Sequence, residues 1–244
     1  MSLTLATVTP GEPEIFASLQ GEGASMGKPC TFIRLSRCNL ACEWCDTAYT
    51  WHFEGDNRPH RSADTVSRAA NQVKLSEEDA AQRIRDLGQD RLIITGGEPM
   101  LQAPALARML ALLPGMVVEV ETNGSVAPHP ALDPLIHQYN VSPKLAHSGN
   151  PASIALIPER LDQWAKEPRA WLKFVVASEA DALEALALAE THAISRHKIM
   201  LMGEGVDSET LSQREAWLAP FCIQHKLTMS KRLHIDLFGD SRGT

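Results

Sequence analysis

The sequence has few basic residues and no cluster of them. Its 23 Lys and Arg side chains are outnumbered by 30 Asp and Glu side chains, which gives a formal net charge of -7. Proteins that bind nucleic acid need a basic stripe or patch to neutralise phosphates. We therefore expect no nucleic-acid partner.

Long hydrophobic runs and interdomain linkers are also missing. The N-terminal stretch "MSLTLATVTPGEPEIF" lacks a charged start followed by an apolar run, and no segment approaches the length that spans a bilayer. No Gly/Ser-rich or Pro-rich stretch divides the chain into parts of domain size. We expect one cytoplasmic domain over residues 1–244 and no membrane partner.

Cysteine is scarce, but three of the five cysteines lie close together in "RLSRCNLACEWCDT". An odd total does not suit a disulfide scaffold. In a reducing compartment, a close cysteine group more often binds metal or takes part in catalysis. Cys38, Cys42 and Cys45 are therefore candidate metal ligands.

Apolar, β-rich segments alternate with segments of helical periodicity. The predicted strands are 30–36, 91–95, 116–121, 138–142, 171–176 and 197–202, and the predicted helices are 76–88, 103–113, 157–167, 178–190 and 208–226. This alternation predicts an α/β fold with a parallel sheet. Six strands fit either an open doubly wound sheet or an incomplete barrel.

Polar or glycine-rich clusters follow most of the predicted strands. The cysteine loop follows the first strand, "GGEP" the second, "TNG" the third and "GEG" the sixth, while "SPK" overlaps the end of the fourth. In parallel β/α architectures the functional site forms at the carboxyl ends of the strands. We expect these clusters to meet on one face.

The spacing Cys-x3-Cys-x2-Cys leaves two kinds of metal site open. A structural zinc site would need a fourth ligand, such as His52 or His60. A 4Fe-4S cluster held by three cysteines would leave one iron free for chemistry.

Two motifs together resemble the radical S-adenosylmethionine superfamily. Trp44 stands directly before the third cysteine, where that superfamily has an aromatic residue, and "TGGEP" at Thr95 to Pro99 matches its second motif. By itself "TGGEP" could be a turn before a helix. In the superfamily, the free iron binds the amino and carboxylate groups of S-adenosylmethionine. Gly97 would allow close backbone approach, and Glu98 could accept a hydrogen bond from the ammonium group.

The remaining motifs are similar to those of the 7-carboxy-7-deazaguanine synthases. They are "EIFASLQGEGASMGKPCTFIRLSRCNLACEWCDT", "VEVETNG", "NVSPK", "LMGEG" and "LHIDLFGDSRGT". This resemblance implies an incomplete (β/α)6 barrel of the radical S-adenosylmethionine type, with an N-terminal extension and a C-terminal tail that closes the active site. It implies a lyase that contracts the ring of 6-carboxy-5,6,7,8-tetrahydropterin with loss of ammonia, in queuosine and 7-deazapurine biosynthesis. The implied cofactors are a 4Fe-4S cluster, S-adenosylmethionine and Mg2+, and the implied partners are a second copy of the chain and a flavodoxin-like reductant.

The same resemblance assigns site residues position by position, with Cys38, Cys42 and Cys45 on the cluster and Thr47 on magnesium. The implied S-adenosylmethionine contacts are Trp44, Cys45, Asp46, Gly97, Glu98, Ser142, Pro143, Lys144, Met202, Gly203, Glu204 and Gly205. The implied substrate contacts are Leu19, Gln20, Gly21, Glu22, Arg34, Thr95, His234 and Thr244. We place His234 in a terminal strand. No protein side chain is assigned as catalytic, because the radical arises at the cluster and S-adenosylmethionine.

One motif departs from the family, and two other functions compete. "LMGEG" has Gly203 where the family pattern has proline, which would fix φ. A radical enzyme that activates a protein glycine shares the two core motifs but would not need the Gln20 loop, Arg34 or the C-terminal tail. A zinc-binding module without enzymatic activity would not need "TGGEP" or "NVSPK".

Overall fold

The computed structural model describes residues 2–62 and 64–244, and within them eleven strands form a single sheet. The strands are β1 Ser2–Thr9, β2 Glu12–Pro13, β3 Ile15–Leu19, β4 Pro29–Leu35, β5 Gln72–Ser76, β6 Arg91–Gly96, β7 Val117–Thr122, β8 Gln138–Val141, β9 Ala170–Val176, β10 Ile199–Gly203 and β11 Thr228–Ser230. The helices are α1 Arg68–Asn71, α2 Glu77–Asp86, α3 Ala103–Ala111, α4 Ala152–Ala155, α5 Pro158–Lys166, α6 Glu179–Thr191, α7 Ser208–His225 and α8 Leu233–Phe238.

The centre of the sheet is parallel and follows the order β4-β6-β7-β8-β9-β10-β11. β1 and β3 pair antiparallel with β4, and β2 and β5 pair with β1. No pairing among the described residues joins this edge to β11, so the barrel is incomplete. The predicted fold class is confirmed, and the six predicted strands correspond to β4 and to β6 through β10.

The two faces of the parallel strands differ in polarity. Ile94, Val120 and Phe174 are fully buried beneath the helices, where Trp164 of α5 also packs. Burial of one such side chain contributes about 1.5–3 kcal/mol to the free energy of unfolding. The alternate positions, which point into the barrel, include charged and polar residues. The outer face therefore stabilises the fold and the inner face is available for binding.

Three helices begin at the capping residues that local sequence favours. The Ser76 hydroxyl accepts a hydrogen bond from the Asp79 N–H at 3.0 Å, and Ser178 and Asp181 form a capping box. Asp207 accepts a hydrogen bond from the Thr210 N–H at 2.8 Å at the start of α7. Each cap contributes roughly 1 kcal/mol. No helix in the described part of the chain has the length and apolar composition needed to cross a membrane.

The N-terminal strands complete the sheet on the side of β4. The Glu14 N–H donates to the Ala6 carbonyl at 2.9 Å, and the Arg34 N–H donates to the Glu14 carbonyl at 3.0 Å. These bonds hold the segment between β2 and β3 against the end of β4. Residues 20–28 then fold back as the connection between β3 and β4.

Candidate active site

A cavity opens at the carboxyl ends of the parallel strands. The polar clusters that follow the strands meet there, as expected for a parallel β/α fold. The predicted site residues that line it are Leu19, Gln20, Gly21, Glu22, Arg34, Cys38, Cys42, Trp44, Cys45, Asp46, Thr47, Thr95, Gly97, Ser142, Lys144, Met202, Gly203, Glu204, His234 and Thr244. Glu98, Pro143 and Gly205 are not among the lining residues.

Each of the three clustered cysteines has a side-chain N–H donor beside its sulfur. The donors are Asn123 Nδ2 at 3.9 Å from Cys38 Sγ, Asn150 Nδ2 at 3.3 Å from Cys42 Sγ, and Trp51 Nε1 at 3.4 Å from Cys45 Sγ. N–H groups aimed at sulfur stabilise thiolates and tune the potential of iron–sulfur clusters. The surroundings of the three sulfurs therefore suit a bound 4Fe-4S cluster.

The cysteines are free thiols whose protonation is shifted by burial. Burial raises the pKa of Cys38 to about 12 and that of Cys45 to about 11. Iron binds thiolate, so assembly of a cluster must release these protons. Within residues 2–62 and 64–244, no three His, Cys, Asp or Glu side chains converge on a single ion. A cube in which each cysteine binds a different iron does not need such convergence.

The cysteine loop is shaped by close contact with the "GGEP" loop. The Gly97 N–H donates to the Leu35 carbonyl at 2.9 Å, and the Glu98 N–H donates to the Arg37 carbonyl at 2.8 Å. A Cβ on Gly97 would lie 2.0 Å from the Arg37 carbonyl oxygen, so only glycine fits. Arg37 itself has φ of 81°, a left-handed conformation that is uncommon outside glycine.

Glu98 of the "GGEP" loop is held by hydrogen bonds within the protein. Its carboxylate is fully buried and accepts hydrogen bonds from the Met100 N–H at 3.0 Å, the Thr122 hydroxyl at 2.8 Å and the Asn123 N–H at 2.8 Å. These bonds cap the helical turn Pro99–Gln102 and attach it to the end of β7. The carboxylate thus does not line the cavity, and its contact with an ammonium group stays a prediction.

Two of the predicted S-adenosylmethionine segments are anchored by charged side chains. Lys144 Nζ donates to the Ser142 carbonyl and hydroxyl, at 2.8 Å each, and lies 5.8 Å from the centre of the Trp44 ring. Glu204 is paired with Arg61 at 2.7 Å and with Arg214. Gly203 has ordinary extended backbone in β10. A left-handed conformation is therefore not the reason why glycine stands where the family has proline.

The predicted substrate residues form a polar wall of the cavity. Gln20 Nε2 donates to Glu121 Oε1 at 3.1 Å, and the Thr95 hydroxyl donates to Glu121 Oε2 at 2.7 Å. Arg34 Nε donates to Glu14 Oε1 at 2.7 Å. The wall therefore presents amide, hydroxyl, carboxylate and guanidinium groups side by side.

Our placement of His234 in a terminal strand is wrong. His234 lies in the short helix α8, and its ring packs against Gly21, where an added Cβ would be 2.2 Å from Nδ1. Burial lowers the pKa of His234, although the carboxylate of Glu22 opposes the shift. In its neutral form the ring offers one donor and one acceptor.

Sequence analysis missed several charged residues that line the cavity. Lys173 pairs with Glu22, and Arg232 pairs with Glu22 at 3.0 Å and with Asp46. Glu121 joins the Gln20 and Thr95 side chains. A charged residue alternating with apolar ones inside a buried strand marks Glu121 in "VVEVET" and Lys173 in "WLKFVV". We applied that signal only to Arg34.

Comparison with known proteins identifies relatives over nearly the full length. Residues 32–139 match the Radical SAM superfamily. The chain is 33% identical over 235 residues to 7-carboxy-7-deazaguanine synthase of Pyrobaculum aerophilum, covering 94% of this chain and 95% of that protein. It is also 33% identical over 229 residues to the enzyme of that name from Hyperthermus butylicus, covering 91% of this chain and 90% of that protein.

Solved structures show the same fold. QueE from Escherichia coli matches with a TM-score of 0.62 at 26% sequence identity, covering 95% of each chain. SuiB from Streptococcus suis, bound to precursor peptide SuiA, matches with a TM-score of 0.53 at 14% identity, covering 82% of this chain and 47% of that one. The second likeness concerns the fold alone. Because the synthases match along almost the whole chain at 33% identity, the chain belongs to the 7-carboxy-7-deazaguanine synthases of the radical S-adenosylmethionine superfamily.

Proposed function

We propose that the chain converts 6-carboxy-5,6,7,8-tetrahydropterin to 7-carboxy-7-deazaguanine with release of ammonia. The observation that carries this proposal is the shared cavity: the cysteine triplet and the wall of Gln20, Thr95 and Glu121 line the same space. A radical formed at the cysteine end would therefore lie next to a ligand bound at the wall. Membership of the synthase family supports the same reaction.

The polar wall has the hydrogen-bonding groups that a pterin requires. A pterin edge carries donors and acceptors side by side, and the amide of Gln20 and the carboxylate of Glu121 complement such an edge. Phe16 and Phe32 also line the cavity, with ring centroids 5.2 Å apart in a stacked arrangement. They add apolar surface for a flat ring system.

Arg34 is the candidate partner for the substrate carboxylate. Only its Nε is bound by Glu14, so the two terminal nitrogens can grip a carboxylate in a bidentate manner. Thr47 of the cysteine loop lines the same cavity, with Oγ1 3.7 Å from Cys45 Sγ. A hydroxyl ligand suits Mg2+, which completes its octahedron with water and substrate oxygens.

The cofactors of the family are a 4Fe-4S cluster, S-adenosylmethionine and Mg2+. When bound, the cluster and S-adenosylmethionine supply the radical that removes hydrogen from C6 of the pterin. The protein's own side chains hold the two ligands next to each other within one cavity. We place S-adenosylmethionine between the cysteine loop and the segments around Lys144 and Glu204, and the pterin between Gln20 and Arg34.

We further propose that the chain forms a single domain and assembles as a homodimer. We also propose that it acts in the cytoplasm and receives electrons from a flavodoxin-like reductant. Five free cysteines support a reducing compartment. The lining of the cavity by Thr244 supports closure of the site by the C-terminal tail.

The test is an anaerobic assay of the reconstituted protein with dithionite, S-adenosylmethionine, Mg2+ and the pterin. We expect a product lighter than the substrate by one ammonia, detected by mass spectrometry. Cleavage of S-adenosylmethionine while the pterin remains intact would overturn the substrate assignment. In that case, a protein-glycine substrate would be the alternative to assay.

A further inference from the structure

The C-terminal tail contacts the protein beside the cavity through the Arg242 side chain. The Arg242 guanidinium lies over the Tyr49 ring, with Cζ 3.6 Å from the ring centre. Its Nη1 donates to Asn71 Oδ1 at 2.8 Å and reaches the Thr7 carbonyl at 3.4 Å. Two residues further on, Thr244 lines the cavity. Arg242 thus contacts the protein two residues before the chain end.

Tyr49 is in turn connected to the predicted binder of the substrate carboxylate. Its hydroxyl lies 2.9 Å from Glu14 Oε2 and 3.2 Å from Oε1, and Arg34 Nε donates to Oε1 of the same carboxylate at 2.7 Å. Glu14 is fully buried. A buried carboxylate must be compensated by partners, and here the hydroxyl and the guanidinium share that role.

Both contacts have the chemistry needed to keep their geometry. The Tyr49 hydroxyl donates to the Glu14 carboxylate, which can only accept. Glu14 holds Arg34 by Nε alone, which leaves the two terminal nitrogens free for a ligand in the cavity. A guanidinium over an aromatic face is attractive even at an exposed site.

We propose that Glu14 and Tyr49 are positioning residues that couple Arg34 to the C-terminal tail. Glu14 orients the guanidinium of Arg34, and the Tyr49 ring holds Arg242 and with it the tail at the cavity. Since the substrate contact of Arg34 rests on the proposed function, we separate the tail contact from substrate binding in the test.

The first experiment needs neither cofactor nor substrate. The purified chain is treated with a carboxypeptidase, and release of Thr244, Gly243 and Arg242 is followed by mass spectrometry. We expect Tyr49→Leu and Arg242→Ala to release Thr244 roughly fivefold faster than the unaltered chain, because the cation–π contact is lost. Tyr49→Phe keeps the ring and should release Thr244 at the unaltered rate. Equal rates for all variants would overturn the tail contact.

The second experiment measures steady-state kinetics with the pterin. Tyr49→Phe removes the hydrogen bond to Glu14, and Arg242→Ala releases the tail. We expect the KM for the pterin to rise roughly tenfold in each, on the order of one hydrogen bond to a charged group, with kcat little changed. An unchanged KM in both would overturn the coupling, even if digestion of the tail had changed.

A matched control separates these effects from general destabilisation. Arg196 is an exposed arginine whose Nη1 donates to the His225 carbonyl at 2.8 Å, away from the cavity. Arg196→Ala should leave tail release, KM and kcat unchanged. Since Glu14 is fully buried, the conclusion relies on Tyr49→Phe and Arg242→Ala, whose melting temperatures are checked first. Absence of product from the unaltered enzyme would refute the proposed function, whereas the digestion result would still decide the tail contact.

Discussion

At the scale of single residues, side chains from outside the cysteine motif place N–H groups beside the three cysteine sulfurs. Asn123 follows β7, Asn150 follows the "SPK" segment, and Trp51 follows the cysteine loop itself. Each comes from a different part of the chain, and each places an N–H near a different sulfur. The contacts of Asn123 and Asn150 form only when the barrel is assembled, whereas the contact of Trp51 is local.

The N–H of Trp51 gives a prediction about the cluster. A hydrogen-bond donor to sulfur stabilises the added electron of the reduced state, so its removal makes the cluster harder to reduce. We expect Trp51→Phe to lower the reduction potential of the reconstituted cluster while iron content stays the same. The potential is measured by a dithionite titration followed by electron paramagnetic resonance.

Trp217 in α7 provides the control for this substitution, because its ring packs on Phe221 and has no contact with the cysteines. Trp217→Phe should leave the potential unchanged. Equal potentials for Trp51→Phe and the unaltered protein would show that the indole N–H does not act on the cluster.

At the scale of elements, the "GGEP" loop and the cysteine loop form one unit. Two backbone hydrogen bonds join them, and the carbonyl of Arg37 occupies the space where a Cβ on residue 97 would lie. The strained φ of Arg37 is part of the same contact. The two superfamily motifs therefore depend on each other for their conformation.

We expect Gly97→Ala to lower the free energy of unfolding by about 3 kcal/mol, because backbone must move to admit the methyl group. Gly203→Ala is the matched control: it lies on the same cavity, but its added Cβ would meet Arg214 Cβ at an ordinary 3.4 Å. The free energy of unfolding of that variant, measured in urea, should be close to that of the unaltered protein. Similar losses in both variants would contradict the role we give to the loop contact.

At the scale of the whole molecule, a chain of paired charges, buried at Lys173 and Arg232, connects distant segments. Asp46 of the cysteine loop, Arg232 before α8, Glu22 after β3 and Lys173 of β9 are paired in series. Burial would raise the pKa of Glu22, but Lys173, Arg232 and His234 together hold it well below its ordinary value. The pKa of Asp46 is also lowered, since Arg232 and Arg34 together outweigh desolvation and the repulsion of Glu22.

These lowered pKa values predict a loss of stability in acid. A carboxyl that is more acidic when folded stabilises the protein above its unfolded pKa, and that stabilisation is lost as the pH falls. We expect the melting temperature of the apoprotein to fall steeply below about pH 4.5, the ordinary carboxyl value.

Glu22→Gln tests whether the charge chain causes this loss. This substitution should weaken the pH dependence of the melting temperature. At pH 7 it should lower the free energy of unfolding by about 3 kcal/mol or more, because Lys173 is left buried without its partner. Glu12→Gln is the control, since Glu12 is exposed and pairs with Arg83 at 2.6 Å on the surface. If both variants show the same pH dependence of the melting temperature as the unaltered protein, the paired charges do not cause the loss of stability in acid.

Much of the fold could be predicted because it is encoded in local periodicity. Strands β4 and β6 through β10, helices α2, α3, α5, α6 and α7, and the caps at Ser76 and Ser178 lie where the residues nearby require them. The strands β1, β2, β3, β5 and β11 were not predicted. β1 pairs with the distant β5, and β2 and β11 are too short to show a period.

The sequence by itself determined the α/β class, the cysteine triplet and the set of loops that line the cavity, because the spacing of motifs and the period of apolar residues are local properties. Only the tertiary structure decided that Glu98 faces the interior, that His234 lies on a helix against Gly21, and that Glu14, Tyr49 and Arg242 stand in line with Arg34. Charged groups in the cavity pair with residues from distant segments, and the spacing of residues in the sequence does not show which of them are close in space.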